Sequence, residues 1–170
     1  MIQLRPIQPS DDARLASIIR GTLAEFGANH PGTVYYDDST NHLSELFRRE
    51  QSHYFVAELN DKVVGGGGIY PTDGLPVDTC ELVKMYLLPE ARGIGLGRMI
   101  IQKCMETARK SGYSRMYLET MPELKQALKV YEKFGFAYLD APLGNSGHFG
   151  CKMFMGLQLD NAPEQQHSGF

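Results

Sequence analysis

The sequence predicts a mixed α/β fold: an α+β mixed sheet of six or seven strands with helices on both faces. Three observations lead there. Apolar residues switch repeatedly between a two-residue and a 3.6-residue period along the chain. The segments run strand, helix, short helix, three strands, helix, strand, helix, two strands, without an internal repeat. No linker is long enough to divide them, so residues 1–160 read as one domain followed by a polar, frayed tail over 161–170.

The first strand covers about residues 2 to 8, where Ile2, Leu4 and Ile7 alternate with polar residues; that alternation reads as a strand and not a secretion signal. Ser10 is the expected N-cap of the first helix, with Asp11 and Asp12 suiting the positive end of its dipole. Leu15, Ile18, Ile19, Leu23 and Phe26 form its apolar stripe, and Gly27 stops it. Residues 28–38 read as a loop, and a shorter helix over Asn41 to Glu50 presents Leu43, Leu46 and Phe47. The runs His53 to Leu59 and Val63 to Tyr70 form a hairpin around Asn60-Asp61. Asp78 to Leu88 is a longer strand, ended by Pro89, which lacks a ladder N–H. Leu96, Ile100, Cys104, Met105 and Ala108 mark a helix ending at Gly112. Arg115 to Glu119 is a strand, and Leu124, Ala127, Leu128 and Tyr131 mark a helix stopped at Gly135. Phe136 to Leu139 and Lys152 to Leu159 close the sheet, with parallel crossovers expected around the two later helices.

Composition narrows the function. A 42% hydrophobic and 22% charged chain of 170 residues is an ordinary globular protein. No apolar run reaches the roughly 20 residues of a membrane helix, and a net charge of −3 argues against nucleic-acid binding. Cys80, Cys104 and Cys151 are odd in number and widely spaced, the pattern of reduced thiols in a cytoplasmic protein. His30, His42, His53, His148 and His167 are scattered, so no metal is expected.

The informative segment is Lys84-Met85-Tyr86-Leu87-Leu88-Pro89-Glu90-Ala91-Arg92-Gly93-Ile94-Gly95-Leu96-Gly97-Arg98: a strand, a glycine turn and a helix start. The first N–H groups of a helix lack internal partners and can bind an anion, which is how a net-acidic protein holds a phosphorylated ligand. A P-loop would need Lys-Ser/Thr after Gly97, where Arg98-Met99 stands. A dinucleotide fingerprint would need glycine at Arg98 and a place near the first strand.

Arg92-x-x-Gly95-x-Gly97 after a strand resembles the acyl-CoA-binding motif of the GNAT superfamily of N-acetyltransferases, and Tyr131-Glu132-Lys133-Phe134-Gly135-Phe136 resembles its Tyr-x-x-x-Gly-Phe segment. The element order agrees over roughly residues 1–159. The resemblance implies a GNAT fold with a mostly antiparallel sheet, bulged in the strand before the turn and splayed into a V between the fourth and fifth strands. It implies acetyl-CoA as cosubstrate. Main-chain groups of Met85, Tyr86 and Leu87 would meet the pantetheine arm, and the turn Arg92, Gly93, Ile94, Gly95, Leu96, Gly97 and Arg98 would meet the pyrophosphate. An N–H of the bulge would stabilise the acetyl oxygen as charge develops there.

An acceptor ammonium titrates near ~10.4, so a base is useful. Glu81 matches the family position of a glutamate base, and it also reads as a solvent-facing strand residue; Asp78 and Glu119 are alternatives. Tyr131 is the implied acid for the departing thiolate, although its spacing from Leu124 and Leu128 also fits a core stripe. Relatives often carry Asn seven residues before this tyrosine. Here Leu124 stands there, with Glu123, Gln126 or the backbone at Met121-Pro122 as substitutes.

The acceptor pocket is expected from His30–Ser39, Pro71–Asp78 and Ala141–Cys151, an acidic and aromatic mouth suited to a cationic amine. In the last of these, His148 either relays a proton or is merely exposed. Cys151 carries no sign of activation, so direct transfer in a ternary complex is expected over an acyl-cysteine. A small-molecule amine is favoured over a protein lysine or N-terminus. A non-catalytic acyl-CoA-binding module and a homodimer stay open.

Overall fold

The computed structural model describes residues 1–159; the expected tail over 161–170 lies outside the described residues. The elements are β1 (Ile2–Pro6), α1 (Asp12–Glu25), α2 (Leu43–Leu46), β2 (His53–Leu59), β3 (Lys62–Tyr70), β4 (Thr79–Leu87), α3 (Leu96–Lys110), β5 (Arg115–Thr120), α4 (Lys125–Lys133), β6 (Ala137–Leu139) and β7 (Met153–Gln158). The seven strands form one sheet in the order β1-β2-β3-β4-β5-β7-β6. Every pairing is antiparallel except β4 with β5.

That single parallel pair is the crossover around α3. The second expected crossover is altered: β5 and β6 run the same way, but β7 lies between them and is antiparallel to both. Sequence order cannot reveal that the last strand inserts into the sheet.

Side-chain alternation sends the two faces to separate cores. Phe55 and Ala57 of β2 pack with Leu96, Ile100 and Cys104 of α3 and Leu128 of α4. Tyr54 and Val56 face Leu15, Ile19 and Leu23 of α1. The hairpin forms as expected, with Asn60 at φ 50° and Asp61 at φ 63°, the positive values a twisted two-residue turn requires.

The entry to α1 differs from expectation. A 3-10 turn, Pro9–Asp11, capped by Gln8, precedes the helix, and the N-cap of α1 is Asp11, not Ser10. Asp11 reaches back to accept from the Gln8 N–H at 2.8 Å and from both terminal nitrogens of Arg5 at 2.8 Å. Its carboxyl is held below the usual range chiefly by Arg5. The helix expected over Asn41–Glu50 shrinks to one turn, Leu43–Leu46, preceded by a 3-10 stretch, Asp38–His42. Among the described residues no helix is long and apolar enough to cross a membrane.

Candidate functional site

Four consecutive glycines, Gly65 to Gly68, shape the centre of the sheet. The Tyr54 ring lies across this part of β3: a Cβ on Gly66 would stand 2.7 Å from Tyr54 Cε1, and one on Gly68 2.9 Å from Cδ2. Glycine is therefore required by the close approach. The Tyr54 hydroxyl passes over β3 and donates to the Lys84 carbonyl of β4 at 2.9 Å. Here β4 bulges. Gly66 faces Tyr86 and Gly68 faces Val83, so one extra β4 residue sits between the pairs, and Lys84 takes φ 52°.

On its other side β4 parts from β5. Pairing covers only Thr79↔Arg115, Cys80↔Met116 and Glu81↔Tyr117, so the strands diverge beyond Glu81, as the V implies. A cavity of about 240 Å³ opens at this fork, with Glu81, Lys84, Glu119, Tyr131, Asp37 and His148 among its walls.

Glu81 is 3% exposed, which removes the reading of a solvent-facing strand glutamate. Its Oε2 accepts a long 3.4 Å bond from the Thr72 hydroxyl, while Oε1 is buried with no partner. Burial pushes the carboxyl up to about 7, and nearby Glu119 adds to the rise against opposing pulls from His148, Lys84 and Thr72. The alternatives differ. Asp78 lies outside the cavity, bonded to Arg115, Ser114 and Thr79, and is driven down to about 2 by them. Glu119 faces the cavity but accepts from the Tyr117 hydroxyl at 2.7 Å and from the Ser146 hydroxyl.

Tyr131 reconciles its two sequence readings. It belongs to the α3–α4 core, edge-on to Phe136 at 5.9 Å between centroids, and also lines the cavity. Burial raises its phenol, so it stays protonated. Leu124 lines the cavity with an apolar side chain where relatives carry Asn, while Glu123 and Gln126 are exposed and stand outside this cavity.

Past the cavity β4 runs into the glycine turn. Met85 and Tyr86 line the cavity, and Leu87 lies beyond it, its carbonyl accepting from Arg92 Nε at 3.0 Å. The Arg92 guanidinium points away to Glu25, at 2.9 and 2.8 Å, and lies over the Phe26 ring at 5.0 Å. It braces the turn against the end of α1. Gly93 and Gly95 take φ 75° and 85°, and Gly95 is the N-cap of α3. Gly93, Ile94, Gly95 and Arg98 are exposed, whereas the Leu96 side chain is in the core. A Cβ on Gly93 or Gly95 would meet nothing within 4 Å, and one on Gly97 only Leu87 at 3.6 Å. The turn thus leaves open space beside the first N–H groups of α3, where an anion can bind.

Of the expected mouth, Asp37 and Asp73 face the cavity, but Tyr35, Tyr36, Asp38 and Asp78 do not. The aromatic wall comes instead from Tyr70, Tyr86 and Tyr131. His148 is not merely exposed: its Nε2 is 2.6 Å from Asp37 Oδ2 and its Nδ1 is 4.0 Å from Glu119. Asp37 Oδ2 also takes Lys84 Nζ at 3.3 Å. Burial opposes ionisation of Asp37, yet His148 and Lys84 outweigh it and hold the carboxyl below its ordinary value. Lys84 was invisible as a site residue, because no spacing announces a buried lysine; the glycine run opposite it was the available signal of a bulge. Cys151 is buried at the cavity wall, its thiol pushed up to about 12 by desolvation first. No three His, Cys, Asp or Glu side chains are grouped to hold a metal among the described residues.

Comparison with known proteins places this geometry. Residues 16–136 match the acetyltransferase (GNAT) family. The chain is 39% identical to the uncharacterized N-acetyltransferase YjgM of Escherichia coli K12 over 157 residues, 92% of this chain and 94% of that one. A GNAT-family acetyltransferase from Staphylococcus aureus Mu50 superposes with a TM-score of 0.83 at 18% identity, covering 94% of this chain and all of the other (100%). The PaiA N-acetyltransferase of Thermoplasma acidophilum, solved in complex with coenzyme A, superposes with a TM-score of 0.73 at 17% identity, covering 93% and 99%.

Proposed function

The chain belongs to the GNAT acetyltransferase family, and from that premise we propose that it transfers an acetyl group from acetyl-CoA to the primary amine of a small molecule. One observation carries the chemistry: Glu81 sits buried at the fork of β4 and β5 with Oε1 unpartnered and a carboxyl pushed up to about 7. Near neutral pH such a group can take a proton and later release it, which suits a general base.

The reaction balances with two side chains. Glu81 accepts one proton from the acceptor ammonium, and the freed nitrogen attacks the thioester carbon. The C–N bond forms and the C–S bond breaks, and an N–H of the β4 bulge would steady the carbonyl oxygen. Tyr131 gives its proton to the leaving thiolate and is restored by the second proton shed from nitrogen. Amide, coenzyme A thiol and one proton on Glu81 result. Direct attack is supported by the state of Cys151, whose thiol at about 12 is not a nucleophile at neutral pH.

A small acceptor is supported by the strap over the cavity. Asn145, Ser146, His148 and Cys151 of this loop, residues 141–151, line it, and the loop is fastened by Ser146 to Glu119, His148 to Asp37, and the Asn145 N–H to the Asp73 carbonyl at 2.7 Å. The deciding experiment follows coenzyme A release against pH. Wild type should lose kcat/KM below about pH 7, and Glu81→Gln should fall about 10²–10⁴-fold while still binding acetyl-CoA. A Glu81→Gln variant with wild-type turnover would remove Glu81 from the mechanism.

A further inference from the structure

Most charges in the cavity already answer one another. Asp37 is shared by Lys84 and His148, and Glu119 by Tyr117 and Ser146. Arg49 is different. Its guanidinium lies over the Tyr70 ring at 5.4 Å from the centroid, and its ion pair is a single Nη1 contact at 3.3 Å to Asp73, a side chain 79% exposed. Exposed pairs of this kind contribute about 0–1 kcal/mol, so a ligand displaces them readily. With Asp73 and the Tyr70 hydroxyl as its partners, the guanidinium still has donors among its five for a ligand.

The position of Arg49 gives it meaning. Tyr70 and Glu81 are directly opposite each other on β3 and β4, so their side chains leave the same face of the sheet with Cβ atoms about 5 Å apart. The cation held over Tyr70 and the orphaned carboxyl of Glu81 therefore both line the cavity on this face of the sheet. One group calls for an ammonium and the other for a carboxylate, the two charges an α-amino acid carries. We infer that the acceptor is an α-amino acid, its ammonium directed at Glu81 and its carboxylate held by Arg49.

This inference rests on the acetyl-transfer reading above and adds the substrate class. A plain amine leaves Arg49 without use. A polyamine has to lie against two fixed cations, Arg49 and Lys84, in a cavity of about 240 Å³. With an amino acid the bonds made and broken are those already described, and the product is an N-acetyl amino acid with its carboxylate intact.

The test compares matched acceptors on the full chain with acetyl-CoA: leucine with isoamylamine, tyrosine with tyramine, histidine with histamine, together with the other protein amino acids, spermidine and a lysine peptide. At least one amino acid should exceed its decarboxylated partner in kcat/KM by tenfold or more. In Arg49→Leu that ratio should fall about tenfold through KM, and Arg49→Lys should restore part of it. Folding of both variants is checked by circular dichroism. Equal or inverted ratios in the wild type, or an unchanged ratio in a folded Arg49→Leu, overturn the amino-acid inference while leaving acetyl transfer standing. Turnover of the peptide alone removes the small-molecule reading, and turnover of nothing by a chain that binds acetyl-CoA removes acetyl transfer itself.

Discussion

Glu81 is destabilising in the position that makes it useful. Its carboxyl is moved from an ordinary 4.5 to about 7, so between those values the folded chain keeps a proton that the unfolded chain has released. The associated stability is full below pH 4.5 and is lost as pH rises through about 7. Glu81→Gln removes that loss, and the variant should be more stable than wild type at pH 8 by on the order of 2–3 kcal/mol, with little difference at pH 4. Urea melts at the two pH values check it. Tyr131 answers a different question. Its phenol stays protonated and its ring completes the core, so Tyr131→Phe should keep the fold and the acetyl-CoA affinity while lowering kcat about 10²-fold or more. Unchanged kcat would leave Tyr131 as a packing residue. Both positions became candidates through the resemblance, by their offsets from the glycine motifs. Burial sets the carboxyl of Glu81 first, and Glu119, His148 and Thr72, which act on it together with Lys84 of its own strand, come from other segments that no spacing connects.

Among the elements, β3 and β4 carry the site between them. The glycines of β3 admit the Tyr54 ring, and the Tyr54 hydroxyl holds the β4 carbonyl at Lys84, where the bulge turns the strand. Gly66→Ala would set a Cβ 2.5 Å from the Phe55 carbonyl oxygen and 2.7 Å from the Tyr54 ring. Overpacking of this kind costs about 1–3 kcal/mol, so the melting temperature should fall by roughly 3–10 °C, with catalysis lost more steeply than stability because the bulge shifts. A calorimetric scan alongside turnover measures both. Hairpins, helix stops and the long strand β4 were legible because local turn chemistry and periodicity determine them. The cap of α1 and the length of α2 were not. Asp11 bonds Arg5 of the neighbouring β1, and α2 itself is tied to α1 through Asp12, which accepts from the Ser44 N–H at 2.8 Å.

For the whole molecule, the fork between β4 and β5 divides the sheet, and a ligand lying in it would bridge the two parts. Acetyl-CoA at 100 times its Kd should stabilise the fold by about 2.7 kcal/mol, a rise of roughly 5–10 °C for a chain of this size. Gly95→Asp should abolish the rise without unfolding the chain. The position has open space, so the substitution acts through the added negative charge beside the helix N-terminus and the positive φ of 85°. A matching rise in the variant would move the pyrophosphate site elsewhere. The sequence by itself determined the class of fold, the crossover at α3 and the glycine turn, since each follows from periodicity or from residues close along the chain. Tertiary structure alone decided that β7 inserts between β5 and β6, that Glu81 is buried with Oε1 unpartnered, that the strap is fastened through His148 and Ser146, and that Arg49 and Glu81 line one cavity. These depend on which faces and loops meet across long separations, where burial and pairing, unlike spacing, set the charge of each group.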